Sequence, residues 1–214
     1  MELLAVSVGQ PRPALYNGKE IATGIWKAPV AGPVRVRRLN VDGDRQADLT
    51  VHGGVHKAVY AFPVEHYGFY QERFGPGPFG FGHFGENLTI RGLSEDEVRI
   101  GDRYRVGGAL LEVSQPRSPC FKFGLRMGSR EAIKACVASA RTGFYLRVVE
   151  EGAVEAGDRI AAEHWDEAAP TVAEVHRLYF LDRSDLAGLR RAAGCAALAP
   201  AFRDEFIARL AALG

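Results

Sequence analysis

Over the first three-quarters of the chain, apolar and polar positions follow one another in short runs cut by glycine. Leu3 to Val8, Val34 to Val41, Ala109 to Val113 and Phe144 to Val149 have the length and the bulky apolar content of strands. The stretch Arg103-Tyr-Arg-Val-Gly-Gly-Ala-Leu-Leu-Glu-Val113 predicts a hairpin, because Gly107 and Gly108 can take the positive φ angles of a two-residue turn. Val98-Arg-Ile-Gly-Asp102 and Val154-Glu-Ala-Gly-Asp158 echo one another, which reads as the same turn used twice rather than as a repeat architecture. Many short strands joined in this way predict a barrel-like, mainly β domain.

A helical period interrupts the strands twice. The first helix is expected from Pro63 at its opening position, with Tyr67, Tyr70 and Phe74 forming a core stripe. The second is expected after Ser129 as cap, with Ile133, Cys136, Val137 and Ala140 on one face and Gly143 as its stop. Beyond residue 165 the pattern becomes helical throughout. Thr171-Val-Ala-Glu174 has the form of a capping box ahead of Val175, Leu178 and Tyr179. Ser184 can cap a second segment through Leu186 and Leu189, interrupted at Gly194. Pro200 opens a third, with Phe202, Phe206, Leu210 and Leu213 along one side. The expected organisation is therefore a β domain over 1–168 and a three-helix module over 169–214. The module's helices are too short to stand alone, so their apolar faces must be covered within the module, by the β domain, or by a partner.

Composition narrows the setting. The 214 residues are 47% hydrophobic and 25% charged, enough for a sizeable core. Twenty-seven basic against 26 acidic side chains give a net charge of +1. No block of like charge suggests an arm for nucleic acid or anionic lipid. Arg35, Arg37 and Arg38 read as the solvated face of a strand. Neither a leader-like N-terminus nor a membrane-length apolar run is seen, so a cytoplasmic protein without a membrane partner is expected. Three cysteines, Cys120, Cys136 and Cys195, form neither a disulfide framework nor a C-x-x-C metal pattern. Cys136 falls on a helical apolar face and reads as a small buried hydrophobe; Cys195 has no visible partner.

Three clusters carry chemistry. In Ser114-Gln-Pro-Arg-Ser-Pro-Cys120, prolines 116 and 119 should hold Cys120 on a stiff, extended loop after a strand. Arg117 favours the thiolate if it points the same way. On residue types alone, a ligand or nucleophile and a buried structural cysteine are equally good readings. In Asp48-Leu-Thr-Val-His-Gly-Gly-Val-His-Lys57, the paired glycines Gly53 and Gly54 expose backbone N–H groups and Lys57 adds charge, as an anion site requires. His52 and His56 raise the question of zinc, but the glycines between them argue against a shared helical face, and a backbone-bonded loop residue is the preferred reading of His56. In Phe84-Gly-Glu-Asn-Leu-Thr89, Glu86 and Asn87 offer a carboxylate and an amide for a polar heterocycle, although such pairs are also common in turns.

Taken in order, Asn17-Gly-Lys-Glu-Ile-Ala-Thr-Gly-Ile, Val41-Asp-Gly-Asp-Arg-Gln-Ala-Asp48, Val51-His-Gly-Gly, Lys57-Ala-Val-Tyr60, Gly85-Glu-Asn-Leu-Thr89, Ile100-Gly-Asp102 and Val113-Ser-Gln-Pro-Arg-Ser-Pro-Cys-Phe-Lys122 resemble the MOSC domain, and more narrowly its bacterial YiiM-like branch. The resemblance implies a mixed α/β, mainly β fold, a MOSC-type β-barrel followed by a small C-terminal three-helix module. It implies the molybdenum cofactor (molybdopterin), chemistry independent of pyridoxal phosphate, and Cys120 as metal ligand and catalytic residue. It further implies reduction of small N-hydroxylated substrates, including hydroxylaminopurine-type bases, with a separate flavoprotein reductase as electron donor. Motif position and charge assign Arg117 and Lys57 to the cofactor, then Asn87 and His52 with Gly53 and Gly54; Glu86 and His52 are the expected proton carriers. The rival functions are sulfur transfer through a Cys120 persulfide and non-catalytic carriage of the cofactor.

Overall fold

The computed structural model describes residues 1–75 and 79–213. Its first half runs β1 (Glu2–Val8), β2 (Arg12–Tyr16), β3 (Lys19–Thr23), β4 (Ala28–Pro29), β5 (Val34–Arg37), β6 (Asn40–Val41), β7 (Val59–Pro63), α1 (Tyr67–Phe74) and β8 (Leu88–Arg91). There follow β9 (Arg103–Val106), β10 (Ala109–Pro116), α2 (Phe121–Arg126), α3 (Glu131–Ser139), β11 (Phe144–Glu150), β12 (Gly152–Val154), β13 (Ile160–His164), α4 (Val172–Phe180), α5 (Leu186–Gly194) and α6 (Pro200–Leu213). Gly214, the last residue of the expected helical module, lies outside the described residues. Among those described, no helix is long and apolar enough to cross a membrane.

Eight strands form one sheet in the order β13-β9-β10-β11-β7-β8-β1-β4. Its named pairs are antiparallel except β7 and β8, which run parallel because α1 supplies the crossover between them. The sheet curls until β1 meets the chain leading into β13. The contact is an isolated bridge, Glu2 to Arg159, backed by Leu3 N–H donating to the Asp158 carbonyl (2.9 Å) and Gly157 N–H to that of Leu3 (2.8 Å). The expected barrel is thus approached, with a bridge rather than a continuous ladder along its seam. A three-stranded sheet, β12-β5-β6, and the separate β2-β3 ribbon complete the β structure.

The hairpin at Gly107-Gly108 forms, with Gly107 but not Gly108 at positive φ (51°), and the Gly-Asp echo is one turn used twice. Arg99 N–H donates to the Asp102 carboxylate at 2.9 Å and Glu155 N–H to that of Asp158 at 2.8 Å, with Gly101 and Gly157 both at positive φ. Thr171 and Glu174 close the capping box that starts α4. Other boundaries move. Val34 to Val41 is two strands reversing at Arg38-Leu39, with Arg35, Arg37 and Arg38 exposed. Pro63 ends β7 instead of opening a helix; a single 3-10 turn intervenes before α1. The second helix stops at Ala140 (φ 55°), and Gly143 serves the strand that follows: a Cβ there would lie 2.4 Å from the Ala61 carbonyl oxygen. Asp185, not Ser184, caps α5 by accepting from Gly188 N–H at 2.8 Å, since Ser184 is held by Asp182. The β2-β3 ribbon, turning on Asn17-Gly18 at φ 51° and 76°, and the short helix α2 were not expected from periodicity.

Two apolar clusters fill the interior. The larger joins Leu3, Leu111, Val113 and Leu146 of the sheet to Val175, Leu178, Leu189, Phe202 and Phe206 of α4–α6. The module's apolar faces are therefore largely covered by the β structure, while Leu186 of α5 and Ile207 and Leu213 of α6 are exposed. The second cluster is aromatic, with Phe62, Tyr67, Tyr70, Phe84 and Phe123 contributed by β7, α1 and α2 and the loop before β8. Because the larger core is shared, removing the fully buried Phe206 ring by Phe206→Ala should cost about 3–5 kcal/mol. It should shift a single denaturant transition seen alike by far-UV dichroism and by the fluorescence of Trp26 and Trp165. Separate melting of a helical fraction while the sheet persists would contradict the shared core.

Candidate functional site

The cleft of interest opens where β10 ends. All eight residues of β10 are buried, and the chain leaves it through Arg117-Ser-Pro-Cys120 without regular structure. Cys120 keeps an extended backbone (φ −120°, ψ 176°) and caps α2. The two prolines thus deliver the cysteine as expected, at the start of a helix that periodicity did not reveal. The wall opposite comes from the loop carrying Gln46, His52 and Gly53, and Thr23 to Ile25 at the foot of the ribbon complete it.

Cys120 differs from the other two thiols. Burial pushes it up, but the His52 ring hydrogen-bonding to it, the charge of Arg117 and the backbone N–H of Lys122 outweigh burial and bring it down to about 6. Burial raises both Cys136 and Cys195 instead. Only Cys120 is a thiolate at neutral pH. Lys57 is half-buried, and burial lowers its ammonium while the charge on Cys120 supports it; its Nζ donates to the Val51 carbonyl at 3.0 Å.

Arg117 is 5% exposed, and its Nη1 has no hydrogen-bond partner among the described residues. The guanidinium lies 4.6 Å from the centroid of Phe123 and 5.6 Å from that of Tyr60, so aromatic faces support its charge without neutralising it. Asp44, the cleft's one carboxylate among the described residues, is spent on Lys27 at 2.5 Å and also accepts from Gly9 N–H at 2.9 Å and Asn87 Nδ2 at 3.0 Å. Lys57, Arg117, Lys122 and Arg45 therefore face the cleft as surplus positive charge.

The remaining expected residues divide. His52, Gly53, Lys57, Asn87, Arg117 and Cys120 all line the cleft; Gly54 and Glu86 do not. Gly53 and Gly54 both adopt positive φ, 80° and 82°. Asn87 is occupied structurally at both ends, accepting from Tyr60 N–H at 3.1 Å as well as donating to Asp44. Glu86, expected as a proton carrier, is corrected here: it is fully buried. It accepts from Gly82 N–H (2.8 Å), Phe84 N–H (2.9 Å), Thr89 Oγ1 (3.0 Å) and the Tyr67 hydroxyl, so it organises the loop before β8. His52 and His56 part company, His56 turning to Arg147 (3.0 Å). Lys27, Asp44 and Gln46 were missed; Asp44 and Gln46 stand in the Val41–Asp48 segment, which matched the family pattern without disclosing roles.

The helical module braces both walls. Ala199 N–H donates to the Ser114 carbonyl (3.0 Å), Ser114 Oγ to the His56 carbonyl (2.6 Å), and Arg147 Nη2 to the Ala197 carbonyl (2.6 Å).

Comparison with known proteins agrees with this architecture. The MOSC domain matches residues 48–161, and the YiiM-like, 3-alpha helix domain matches 170–213. The chain belongs to the MOSC-domain family. Within it, the chain is of the YiiM-like kind: it is similar to the crystal structure of YiiM from Geobacillus stearothermophilus, with a TM-score of 0.83 and 34% identity, covering 98% of both chains. It is 40% identical over 205 residues to the uncharacterized protein YflK of Bacillus subtilis (strain 168), covering 96% of this chain and 92% of that one. It is also 36% identical over 162 residues to a protein named reductase from Gibberella moniliformis, covering 74% of this chain and 28% of that longer protein.

The electrostatics of Cys120 can be read directly. In protein free of cofactor, the rate of Cys120 alkylation should rise with pH to a plateau with a midpoint near 6. His52→Ala, which removes a group favouring the thiolate, should move that midpoint upward. A midpoint in the ordinary cysteine range, about 8.5, would show that the cleft does not hold a thiolate.

Proposed function

We propose that this protein is a cytoplasmic, molybdenum-cofactor-dependent reductase of small N-hydroxylated compounds, hydroxylaminopurine-type bases among them, with Cys120 as the protein's ligand to the metal. The observation that carries the reading is the lowered Cys120 thiol beside a buried Arg117 that lacks a partner. A soft thiolate suits a transition metal, and an unpartnered buried guanidinium suits an anion such as a phosphate. Among the described residues, no three His, Cys, Asp or Glu side chains gather as a metal site. A metal at Cys120 would therefore take its other ligands from the cofactor itself. Family membership and the reductase name of one relative add support.

When bound, the cofactor supplies two-electron redox chemistry and the dithiolene sulfurs that accompany Cys120. The chain's own groups do the rest. Arg117 and Lys57 hold the phosphate by charge-assisted hydrogen bonds, with Lys122 and Arg45 nearby. Gly53, at positive φ, lets the backbone approach closely. The Lys27-Asp44-Asn87 network fixes the floor. Converting N–OH to N–H and water consumes two electrons and two protons. His52 is the ring in the cleft able to pass a proton at a nitrogen, whereas Glu86 is sealed away. Sulfur transfer through a Cys120 persulfide would use the same thiolate but leaves the Arg117 charge without a purpose. A cofactor carrier would use both and show no turnover.

Three measurements bear on the proposal. X-ray absorption should lose one metal–sulfur bond in Cys120→Ala and none in Cys136→Ala; an unchanged sulfur count in the first removes the ligand assignment. Arg117→Ala and Lys57→Ala should copurify with less pterin, increasingly so as salt rises, and full retention by both in high salt would end the anion-site assignment. The holoprotein with a viologen reductant should convert hydroxylaminopurine to adenine, and a protein that carries the cofactor without turnover is a carrier.

A further inference from the structure

The molecule is almost neutral, but its charge is sorted. Away from the cleft, exposed cations commonly face carboxylates: Arg37 with Asp42, Arg105 with Glu150 and Glu163, Arg177 with Asp182 and Asp185, Arg191 with Glu174, Arg209 with Glu205. Around the cleft mouth the pattern changes. Among the described residues, none of Arg12, Arg45, Lys122, Arg126 and Arg130 stands within ion-pair distance of a carboxylate.

These cations belong to one face. Tyr16 of the β2-β3 ribbon packs on Phe121, next to Cys120, with ring centroids 4.7 Å apart. Arg130 donates to Asn17 Oδ1 at 2.8 Å, which ties the ribbon's tip to the chain before α3. Arg12 lies over Trp26 at 4.3 Å and is close enough to Arg126 to depress it, after burial. Lys122 lies near Asp48, at the other side of the opening. Asp48, a carboxylate on this face, is engaged by Thr50 N–H and its hydroxyl. Beside the opening, on the loop that carries His52, apolar side chains turn to solvent: Leu49 is 75% exposed and Val51 54%.

We propose that this face docks a redox protein through an acidic surface, presenting the donor's cofactor at the opening above Cys120. The inference rests on the reductase reading, which requires electrons to arrive from outside the chain. Unpaired cations beside a small exposed apolar patch suit a transient encounter: charge steers and orients the donor, and the small apolar area lets it leave. The apolar face of α6 does not compete for this role, since Phe202 and Phe206 are buried in the core.

The test uses holoprotein, a hydroxylaminopurine substrate and two electron sources. One is reduced methyl viologen; the other is reduced flavodoxin, a small acidic flavoprotein. Arg12→Glu and Arg130→Glu lie outside the cofactor-binding residues. Each should leave viologen-driven turnover within about twofold and raise the KM for flavodoxin by about tenfold. Raising ionic strength from about 0.01 M to about 0.15 M, which shortens the screening length from about 30 Å to about 8 Å, should weaken flavodoxin binding in the parent protein and much less in the charge-reversed variants. Binding of oxidised flavodoxin, followed by calorimetry, should show the same order without turnover. Unchanged flavodoxin KM and binding in both variants would overturn the docking face. So would a single-stranded oligonucleotide that binds there as tightly as flavodoxin, since the charge would then serve a polyanion. Absence of turnover with viologen would instead remove the reductase reading, and this proposal with it.

Discussion

A buried positive charge without a carboxylate is costly, several kcal/mol in a low-dielectric interior, unless something negative stands near it. Arg117 is such a charge, and beside it the surrounding groups hold the Cys120 thiol in its ionised form. Each group favours the charged form of the other. The aromatic cluster makes the arrangement tolerable, because Phe123 and Tyr60 present π faces to the guanidinium without removing its charge. The prolines keep the thiolate from folding away, and β10, buried along its whole length, gives the loop a rigid origin.

That origin is stiffened from behind. The module reaches β10 through Ala199 and Ser114, and reaches the opposite wall through Ala197, Arg147 and His56. The two walls are thereby referred to one body, although the helices touch nothing inside the cleft. A sequence change in the loop before α6 can alter the spacing of Cys120 and His52 without approaching either.

Local sequence disclosed those parts of the fold in which one segment determines its own geometry. The Gly107-Gly108 hairpin, the paired Gly-Asp turns and the Thr171-Glu174 box all formed as read. Errors fell where two residues offered the same chemistry one position apart, as with Ser184 and Asp185, or where tertiary contact decided the outcome, as at Gly143. The Asn17-Gly18 turn was visible, but its flanking residues are largely exposed and show no clean alternation. In the site, residue type and motif position brought out Cys120, Arg117, Lys57 and His52. They could not tell that Glu86 faces inward, because a carboxylate that binds ligand and one that binds backbone N–H groups look alike in sequence. Lys27 stayed hidden for a related reason: its importance comes from Asp44, a distant residue in the chain that only folding brings near.

The seam of the curled sheet bears on how the protein is made. Glu2 leaves the ribosome well before Arg159, its bridge partner, which emerges only after most of the sheet has been synthesised. The apolar side of β1 must wait still longer for Phe202 and Phe206, which share its core. Nascent β1 can pair early with β4 and β8, but the stretch of edge that meets Arg159 and the apolar face beneath it stay open until late, the kind of edge that invites association between chains. Chaperoning, or a synthesis rate matched to folding, would then govern the yield of folded protein alongside the stability of the finished molecule.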